Sequence, residues 1–181
     1  MTGQLVAIVG PSGVGKDSVM AALAAADPAV LLARRVITRP TEAGGEDFDG
    51  VTAETFARRE AAGDFVLSWP AHGLSYGIPT TIRRDLDAGR IVIVNLSRAV
   101  LLQAQQVFPD LQVVSLTAPP EVLAARLATR GREDAEEQKR RLSRGALPLP
   151  EGLRNVHQVD NSGPIEATVA AVRAALQPES V

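Results

Sequence analysis

A glycine-rich segment near the beginning of the chain has the residue types and spacing that bind phosphate. Its glycines let the backbone curl so that successive N–H groups point at one anion, and a following helix presents its positive end there. A lysine placed after the last glycine reaches the β- and γ-phosphates of a nucleotide. We therefore predict an ATP-binding loop made of Gly10, Pro11, Ser12, Gly13, Val14, Gly15, Lys16, Asp17 and Ser18.

Two oxygen-bearing residues follow the lysine of this loop. Loops of this kind normally place a hydroxyl directly after the lysine, where it ligates Mg²⁺. Here that position holds Asp17, and Ser18 comes next. Because a carboxylate also ligates Mg²⁺, we interpret Asp17 or Ser18 as the metal ligand. The alternative is that Asp17 only complements the positive end of the helix.

Arginine supplies almost all of the positive charge. The 19 basic residues comprise 17 arginines and only two lysines, Lys16 and Lys139, and a lysine inside the glycine-rich loop therefore favours a function there. A charged helical stretch holds Arg126, Arg130 and Arg141. From the residues alone, this stretch is equally well interpreted as a solvated helical face.

The loop needs a strand before it and a helix after it, and the sequence predicts both. Short β-branched runs alternate with helical patterns, which predicts an α/β fold with a parallel sheet flanked by helices. The predicted strands are 4–9, 90–95, 111–117 and 155–160, and the predicted helices are 17–26, 97–107, 120–129 and 164–176. Residues 34–79 interrupt this alternation with turn-rich sequence, which indicates an inserted lobe.

Composition limits the function classes. The chain has 181 residues, 45% of them hydrophobic, which fits one globular domain. Without cysteine, a signal-like start or a long apolar run, a cytoplasmic protein without membrane contact is expected. The net charge of −2 argues against nucleic acid as a partner. We expect small-molecule partners and a monomer or homodimer.

Several short motifs occur in the order in which the guanylate kinase family has them. They are GPSGVGK in the loop, Thr38-Arg39-Pro40, Gly63-Asp64-Phe65, Trp69, Tyr76-Gly77 and Arg126-Leu-x-x-Arg130-Gly. The chain resembles this family along almost its whole length. The resemblance implies a P-loop nucleoside-monophosphate-kinase-like domain, with a core of 1–33, 80–125 and 146–181, an acceptor-binding lobe at about 34–79 and a helical lid at about 126–145. It also implies that Lys16, Arg126, Arg130 and Arg141 are catalytic, with the arginines closing over the transferred phosphoryl group.

The chain departs from guanylate kinases where they recognise guanine. Ser68 stands where the family has a glutamate that accepts from guanine, and Ile78 replaces a serine. Losing hydrogen bonds that a site is built to make costs roughly 10⁴-fold in discrimination. GMP is therefore a doubtful acceptor, although a guanylate kinase with a rearranged pocket remains an alternative. A non-catalytic binding module is a second alternative, and it gives no reason to keep Lys16 with the spaced arginines.

Further motifs resemble the ribose 1,5-bisphosphate phosphokinases within this group. They include Lys16-Asp17, Glu46-Asp47 and Asn95-x-Ser-Arg98, although Leu96 stands where the family is expected to have glycine. The resemblance implies Mg²⁺-dependent transfer of the γ-phosphoryl group of ATP to ribose 1,5-bisphosphate, giving 5-phosphoribosyl 1-diphosphate, in phosphonate metabolism. The expected acceptor-binding residues are Arg39, Glu46, Asp47, His72, Tyr76, Arg83 and Arg98. Solvated arginines, turn acids and a structural histidine are the alternatives for these positions.

Overall fold

The chain folds around two sheets. The computed structural model describes residues 3–43, 46–130, 136, 139–140 and 148–177, without the side chain of Arg130. The elements in chain order are β1 Gln4–Val9, α1 Lys16–Ala26, β2 Val30–Leu32, β3 Val36–Ile37, a 3₁₀ turn Thr41–Ala43, β4 Asp49–Gly50, α2 Ala53–Ala61, β5 Phe65–Ala71, β6 Leu74–Pro79, α3 Ile82–Asp87, β7 Ile91–Asn95, a 3₁₀ turn Arg98–Val100, α4 Leu101–Val107, β8 Gln112–Thr117, α5 Pro120–Arg130, β9 Val156–Asp160 and α6 Ile165–Leu176. No helix in these described ranges is long and apolar enough to cross a membrane.

The larger sheet has five strands in the order β2-β7-β1-β8-β9, and all its strand pairs are parallel. Its central strand, β1, alternates between two buried faces. Leu5, Ala7 and Val9 pack in one hydrophobic cluster, whereas Val6 and Ile8 pack in the other. Successive side chains of a strand point to opposite faces, so this strand is apolar throughout because both faces of the sheet are covered.

Helices and the smaller sheet cover the two faces. The hydrophobic cluster that contains Val6 and Ile8 also contains side chains of α1, α5 and α6. The hydrophobic cluster that contains Ala7 also contains side chains of α3, α4, β5 and β6. The α/β architecture with a flanked parallel sheet is therefore confirmed.

The smaller sheet lies within residues 34–79, which the sequence predicts to be an insertion. Its four strands have the order β4-β3-β6-β5, and β5 and β6 form an antiparallel hairpin. Ala71 pairs with Leu74, so His72 and Gly73 form a two-residue turn with φ values of 53° and 73°. Such hairpin turns require positive φ at both central residues. The turn holds His72 at one end of the hairpin.

Candidate active site

Two loops meet at the carboxyl edge of the larger sheet. In the parallel pairing of β1 with β7, Ile8 lies opposite Asn95. The glycine-rich loop that leaves β1 therefore lies beside the segment that leaves β7. Because β1 has β7 on one side and β8 on the other, this edge is where open α/β sheets bind ligands.

The glycine-rich loop is tightly curled. Gly13 and Gly15 have φ values of 84° and 96°, which are left-handed conformations that glycine adopts without steric cost. The N–H of Val14 donates to the carbonyl oxygen of Pro11 across a turn. Lys16 begins α1, and its Nζ atom donates to the carbonyl oxygen of Gly10 at 2.8 Å. The lysine thus lies across the loop, at the position expected for a phosphate ligand.

A cavity of about 740 Å³ opens in front of this loop. That volume lies within the usual range of ligand pockets. Among the described residues, its lining contains four cationic side chains and no carboxylate. The lining residues are Val9, Gly10, Pro11, Ser12, Lys16, Arg35, Trp69, Ala71, His72, Tyr76, Asn95, Leu96, Ser97, Arg98, Ala99 and Arg140. The cavity is therefore built for a strongly anionic ligand.

Arg35 is the most buried of these four cations. Its Nε atom donates to the Oε2 atom of Glu46 at 2.8 Å, and its Nη2 atom bonds to Oε1 of the same carboxylate. Its Nη1 atom donates to the carbonyl oxygen of Asn95 at 3.3 Å, which links the start of the smaller sheet to the end of β7. The Arg35 side chain is 10% exposed and that of Glu46 is 20% exposed. Bidentate pairing fixes the plane of the guanidinium.

Aromatic rings continue this wall of the cavity. Trp69 and Tyr76 are opposite each other on β5 and β6, and their rings stack at 5.5 Å. The guanidinium of Arg35 lies 4.9 Å from the centre of the Tyr76 ring. Tyr76 is therefore held by a cation on its ring and by a buried indole beside it.

Arg98 follows β7 and faces the same cavity. Burial lowers the pKa of its guanidinium from the ordinary arginine value. Such a partly desolvated cation interacts more strongly with an incoming anion, because less water screens the attraction.

Some of the predicted site residues line the cavity. Lys16, His72, Tyr76, Arg98 and the beginning of the glycine-rich loop line the cavity.

The other predicted acceptor ligands lie elsewhere. Arg39 lies over the ring of Phe48 at 4.3 Å, and Arg83 lies over Phe108 at 5.0 Å. Asp47 is 89% exposed and lies 3.4 Å from Arg34. Glu46 pairs with Arg35 and is not among the lining residues.

The structure describes only some of the residues that were predicted to bind the metal or to form the lid. Asp17 and Ser18 are exposed in the first turn of α1 and are not among the lining residues. The side chain of Arg130 and all of Arg141 lie outside the described residues, whereas Arg140 is described and lines the cavity. In the described part of the chain, no group of three histidine, cysteine or acidic residues is placed to hold a metal ion by itself.

Arg126 lies behind the glycine-rich loop. Its Nη1 atom donates to the carbonyl oxygens of Gly13 and Val14, at 3.5 and 3.1 Å. Its Nη2 atom donates to the carbonyl oxygen of Asn161 at 2.7 Å. The prediction that Arg126 closes over the phosphoryl group stays a prediction, and the described contacts are with the backbone of the loop.

Sequence reasoning missed Arg35 and Arg140 in the cavity. It named Asn161 within a segment, 160–163, that either contacts the nucleotide or caps the following helix, and it did not foresee the contact of Asn161 with the loop. Arg35 directly precedes the buried pair Val36–Ile37, and an arginine beside a fully apolar strand could have indicated a buried, paired cation. Arg140 lies one residue before the predicted Arg141, and nothing in the pattern separates the two.

Comparison with known proteins agrees with this geometry. A family model described as AAA domain matches residues 6–145. The chain is 58% identical to a ribose 1,5-bisphosphate phosphokinase PhnN of Ruegeria, over 98% of this chain and 93% of that protein. It is 46% identical to a protein of the same name from Agrobacterium fabrum, over 96% of each chain. A guanylate kinase structure from Anaplasma phagocytophilum matches with a TM-score of 0.66 at 18% identity, covering 98% of this chain and 88% of that one, and supports the fold alone. The chain belongs to the ribose 1,5-bisphosphate phosphokinase family, on a P-loop kinase fold.

Proposed function

We propose that this chain transfers the γ-phosphoryl group of ATP to the 1-phosphate of ribose 1,5-bisphosphate, producing 5-phosphoribosyl 1-diphosphate and ADP. The observation that carries the proposal is the charge of the cavity. Its described lining has Lys16, Arg35, Arg98 and Arg140 and no acidic side chain. A triphosphate and a bisphosphate that must approach each other need such a surplus of positive charge. The proposed reaction belongs to phosphonate metabolism.

The described lining of the cavity lacks the carboxylate that would accept hydrogen bonds from a guanine base. Ser68 donates its hydroxyl to Glu60 at 2.6 Å and does not line the cavity, and Ile78 is fully buried. Neither residue offers a carboxylate to the N–H groups of guanine. A guanine edge enclosed without acceptors loses its hydrogen bonds to water without replacement. These features favour a sugar phosphate over GMP.

The chemistry needs alignment more than proton transfer. The second pKa of a phosphate monoester is near 6, so the 1-phosphate is largely a dianion at neutral pH. One of its oxygens attacks the γ-phosphorus of ATP, a new P–O bond forms, and the bond to the β,γ-bridging oxygen breaks with its electron pair on ADP. No general base is required, so His72 serves as a phosphate contact in this scheme.

The cations divide between donor and acceptor. Lys16 exchanges its bond to the carbonyl of Gly10 for the β- and γ-phosphates of ATP. Arg98, His72 and the hydroxyl of Tyr76 are the proposed ligands of the acceptor phosphates, since all three residues line the cavity. Arg126, Arg130 and Arg141 stay predicted as catalytic groups, and Arg39 and Arg83 stay predicted as acceptor ligands.

Magnesium fits the oxygen donors beside the loop. Mg²⁺ is usually held by one or two protein oxygens together with substrate phosphates, so a dedicated protein cage is unnecessary. Asp17 and Ser18, both exposed at the start of α1, are the proposed ligands. When bound, the ion neutralises charge on the phosphates of ATP. We place the reaction in the cytoplasm, with a monomeric or homodimeric enzyme.

A panel of acceptors tests the proposal. The purified chain, supplied with ATP and Mg²⁺, is offered ribose 1,5-bisphosphate, GMP or ribose 5-phosphate, and ³¹P NMR identifies the product. We expect a diphosphate signal from ribose 1,5-bisphosphate alone, with kcat/KM at least about 10³-fold above that for GMP. Ribose 5-phosphate lacks the 1-phosphate and serves as the matched control. Efficient use of GMP with no use of ribose 1,5-bisphosphate would refute the proposal.

A further inference from the structure

Asn161 makes a buried connection between the last strand of the larger sheet and the glycine-rich loop. It is 6% exposed and directly follows β9, and its backbone N–H donates to the carbonyl oxygen of Thr117 at 2.7 Å. Its side-chain Nδ2 atom donates to the carbonyl oxygen of Val14 at 2.7 Å. The same carbonyl accepts from Arg126 at 3.1 Å. One peptide oxygen of the loop is therefore held by two side chains.

Thr168 fixes the direction of this contact. Its hydroxyl, on α6 and 2% exposed, donates to the Oδ1 atom of Asn161 at 2.6 Å. An amide has one oxygen that accepts and one nitrogen that donates. Because the carbonyl oxygen of Val14 can only accept, Nδ2 is the atom that faces it, and the hydroxyl of Thr168 donates to the remaining Oδ1. The asparagine is not acting as a helix cap, since α6 begins after Pro164 and has no side-chain cap.

This arrangement determines where the next N–H points. A trans peptide is planar, so its C=O and the following N–H point in opposite directions. Holding the Val14 carbonyl towards Asn161 therefore turns the N–H of Gly15 away from it. Space is tight on the Asn161 side, because a Cβ atom at Gly15 would lie 2.8 Å from Nδ2 of Asn161. The loop cannot relax in that direction without breaking the contact.

We propose that Arg126, Asn161 and Thr168 are positioning residues for ATP: together they hold the glycine-rich loop in the shape that presents its N–H groups to phosphate. A loop held this way before ATP arrives loses less conformational freedom on binding. In this role Arg126 acts through the loop backbone, where its described contacts lie. The inference rests on the ATP half of the proposed function and is independent of the acceptor.

The test compares Thr168→Val with Thr168→Ser by calorimetric titration with ATP and Mg²⁺, in the absence of any acceptor. Valine keeps the shape but removes the hydroxyl that orients Asn161, whereas serine keeps that hydroxyl. We expect the Kd for ATP to rise about tenfold in Thr168→Val and to stay within twofold in Thr168→Ser, from the loss of one buried hydrogen bond. Asn161→Asp places an oxygen against the Val14 carbonyl and should weaken binding further.

Gln105→Met is the matched control for a general loss of stability. Gln105 is also a buried amide with two backbone partners, the carbonyl of Gly152 at 2.9 Å and the N–H of Arg154 at 2.8 Å, and it does not line the cavity. This variant should unfold at a lower temperature and keep its Kd for ATP. An unchanged Kd in folded Thr168→Val, or an equal rise in Gln105→Met, would overturn the inference. Absence of ATP binding by the unmodified chain would overturn the proposed function as well.

Discussion

Arg35 faces the cavity, whereas its partner Glu46 lies behind it. The resemblance described above implies that Glu46 is an acceptor-binding residue. In the structure both oxygens of Glu46 bond to Arg35, and only the arginine is among the lining residues. We therefore interpret Arg35 as the group that meets the acceptor and Glu46 as the group that holds Arg35 in place.

A double-mutant cycle separates these two roles. Arg35→Gln should raise the KM for the acceptor about 10- to 100-fold, because one charge-assisted hydrogen bond contributes roughly 1.5–3 kcal/mol. Glu46→Gln should have a similar effect, and the double variant should be no worse than Arg35→Gln alone. Steady-state kinetics at saturating ATP give the KM for the acceptor, and variation of ATP at saturating acceptor should give a KM for ATP within twofold of that of the unmodified chain.

Arg34 provides the control for this cycle. It neighbours Arg35, but its pair with Asp47 spans 3.4 Å and both side chains are largely exposed. Exposed pairs contribute little, so Arg34→Gln should leave both KM values within about twofold. Additive effects of Arg35→Gln and Glu46→Gln would instead make Glu46 a direct ligand of the sugar. An unchanged acceptor KM in Arg35→Gln would remove Arg35 from the acceptor site.

At the scale of elements, the β5–β6 hairpin combines a strained turn with a cavity residue. His72 is the one non-glycine residue with positive φ in the described ranges, and it lines the cavity. Asparagine tolerates this conformation well. His72→Asn should therefore keep the stability of the turn while removing the imidazole, and the KM for the acceptor should rise about tenfold if the ring donates to phosphate.

Gly73→Ala distinguishes the turn from the ring. Nothing lies within 4 Å of a Cβ atom at this position, so the cost of the substitution is the positive φ alone, about 1 kcal/mol. This variant disturbs the turn but keeps the imidazole. A rise in acceptor KM shared by both variants would point to the turn, and a rise specific to His72→Asn would identify the ring as a ligand. Denaturant titration gives the stabilities.

The elements of the larger sheet were predictable because buried parallel strands have nearly continuous β-branched sequence. β1 and the carboxyl ends of β7, β8 and β9 were predicted correctly. The predicted helix over 97–107 is wrong at its start, where a 3₁₀ turn precedes α4. β2 and the short strands β3 and β4 were missed, since their two or three residues carry no periodic signal and gain their pairing from distant partners. The longer strands β5 and β6 and the helix α2 were also missed, because residues 34–79 were interpreted as turn-rich.

The site was predictable to the extent that it is local. The glycine-rich loop is one contiguous motif, and Tyr76, His72 and Arg98 came from motifs of the family. The contact between Asn161 and Val14 joins residues 147 positions apart, and no local pattern encodes it. The pairing of Arg35 with Glu46 likewise depends on how the smaller sheet packs against β7. A single sequence can indicate that a polar residue such as Arg35 is buried, but it does not identify the partner of that residue.

At the scale of the whole molecule, the two sheets share one hydrophobic cluster. Leu67, Trp69 and Ile78 of the smaller sheet pack in the same cluster as Ala7 and Val94 of the larger sheet. We therefore expect one cooperative unfolding transition. Trp69 is the only tryptophan in the chain, so its fluorescence reports on the smaller sheet, whereas far-ultraviolet circular dichroism reports on the whole backbone. The two melting curves should coincide, and an earlier fluorescence change would show that the lobe unfolds separately.

The burial of β1 has a consequence for how sequence variation acts on this enzyme. Val6, Ala7 and Ile8 have no exposed surface, and the glycine-rich loop begins directly after this strand. The position of the loop therefore depends on the formation of the whole core. A destabilising change far from the cavity lowers the number of competent molecules in the cell and leaves the affinity of each folded molecule as it was. We therefore expect many core substitutions in this chain to lower activity through the amount of folded protein rather than through the affinity of each molecule.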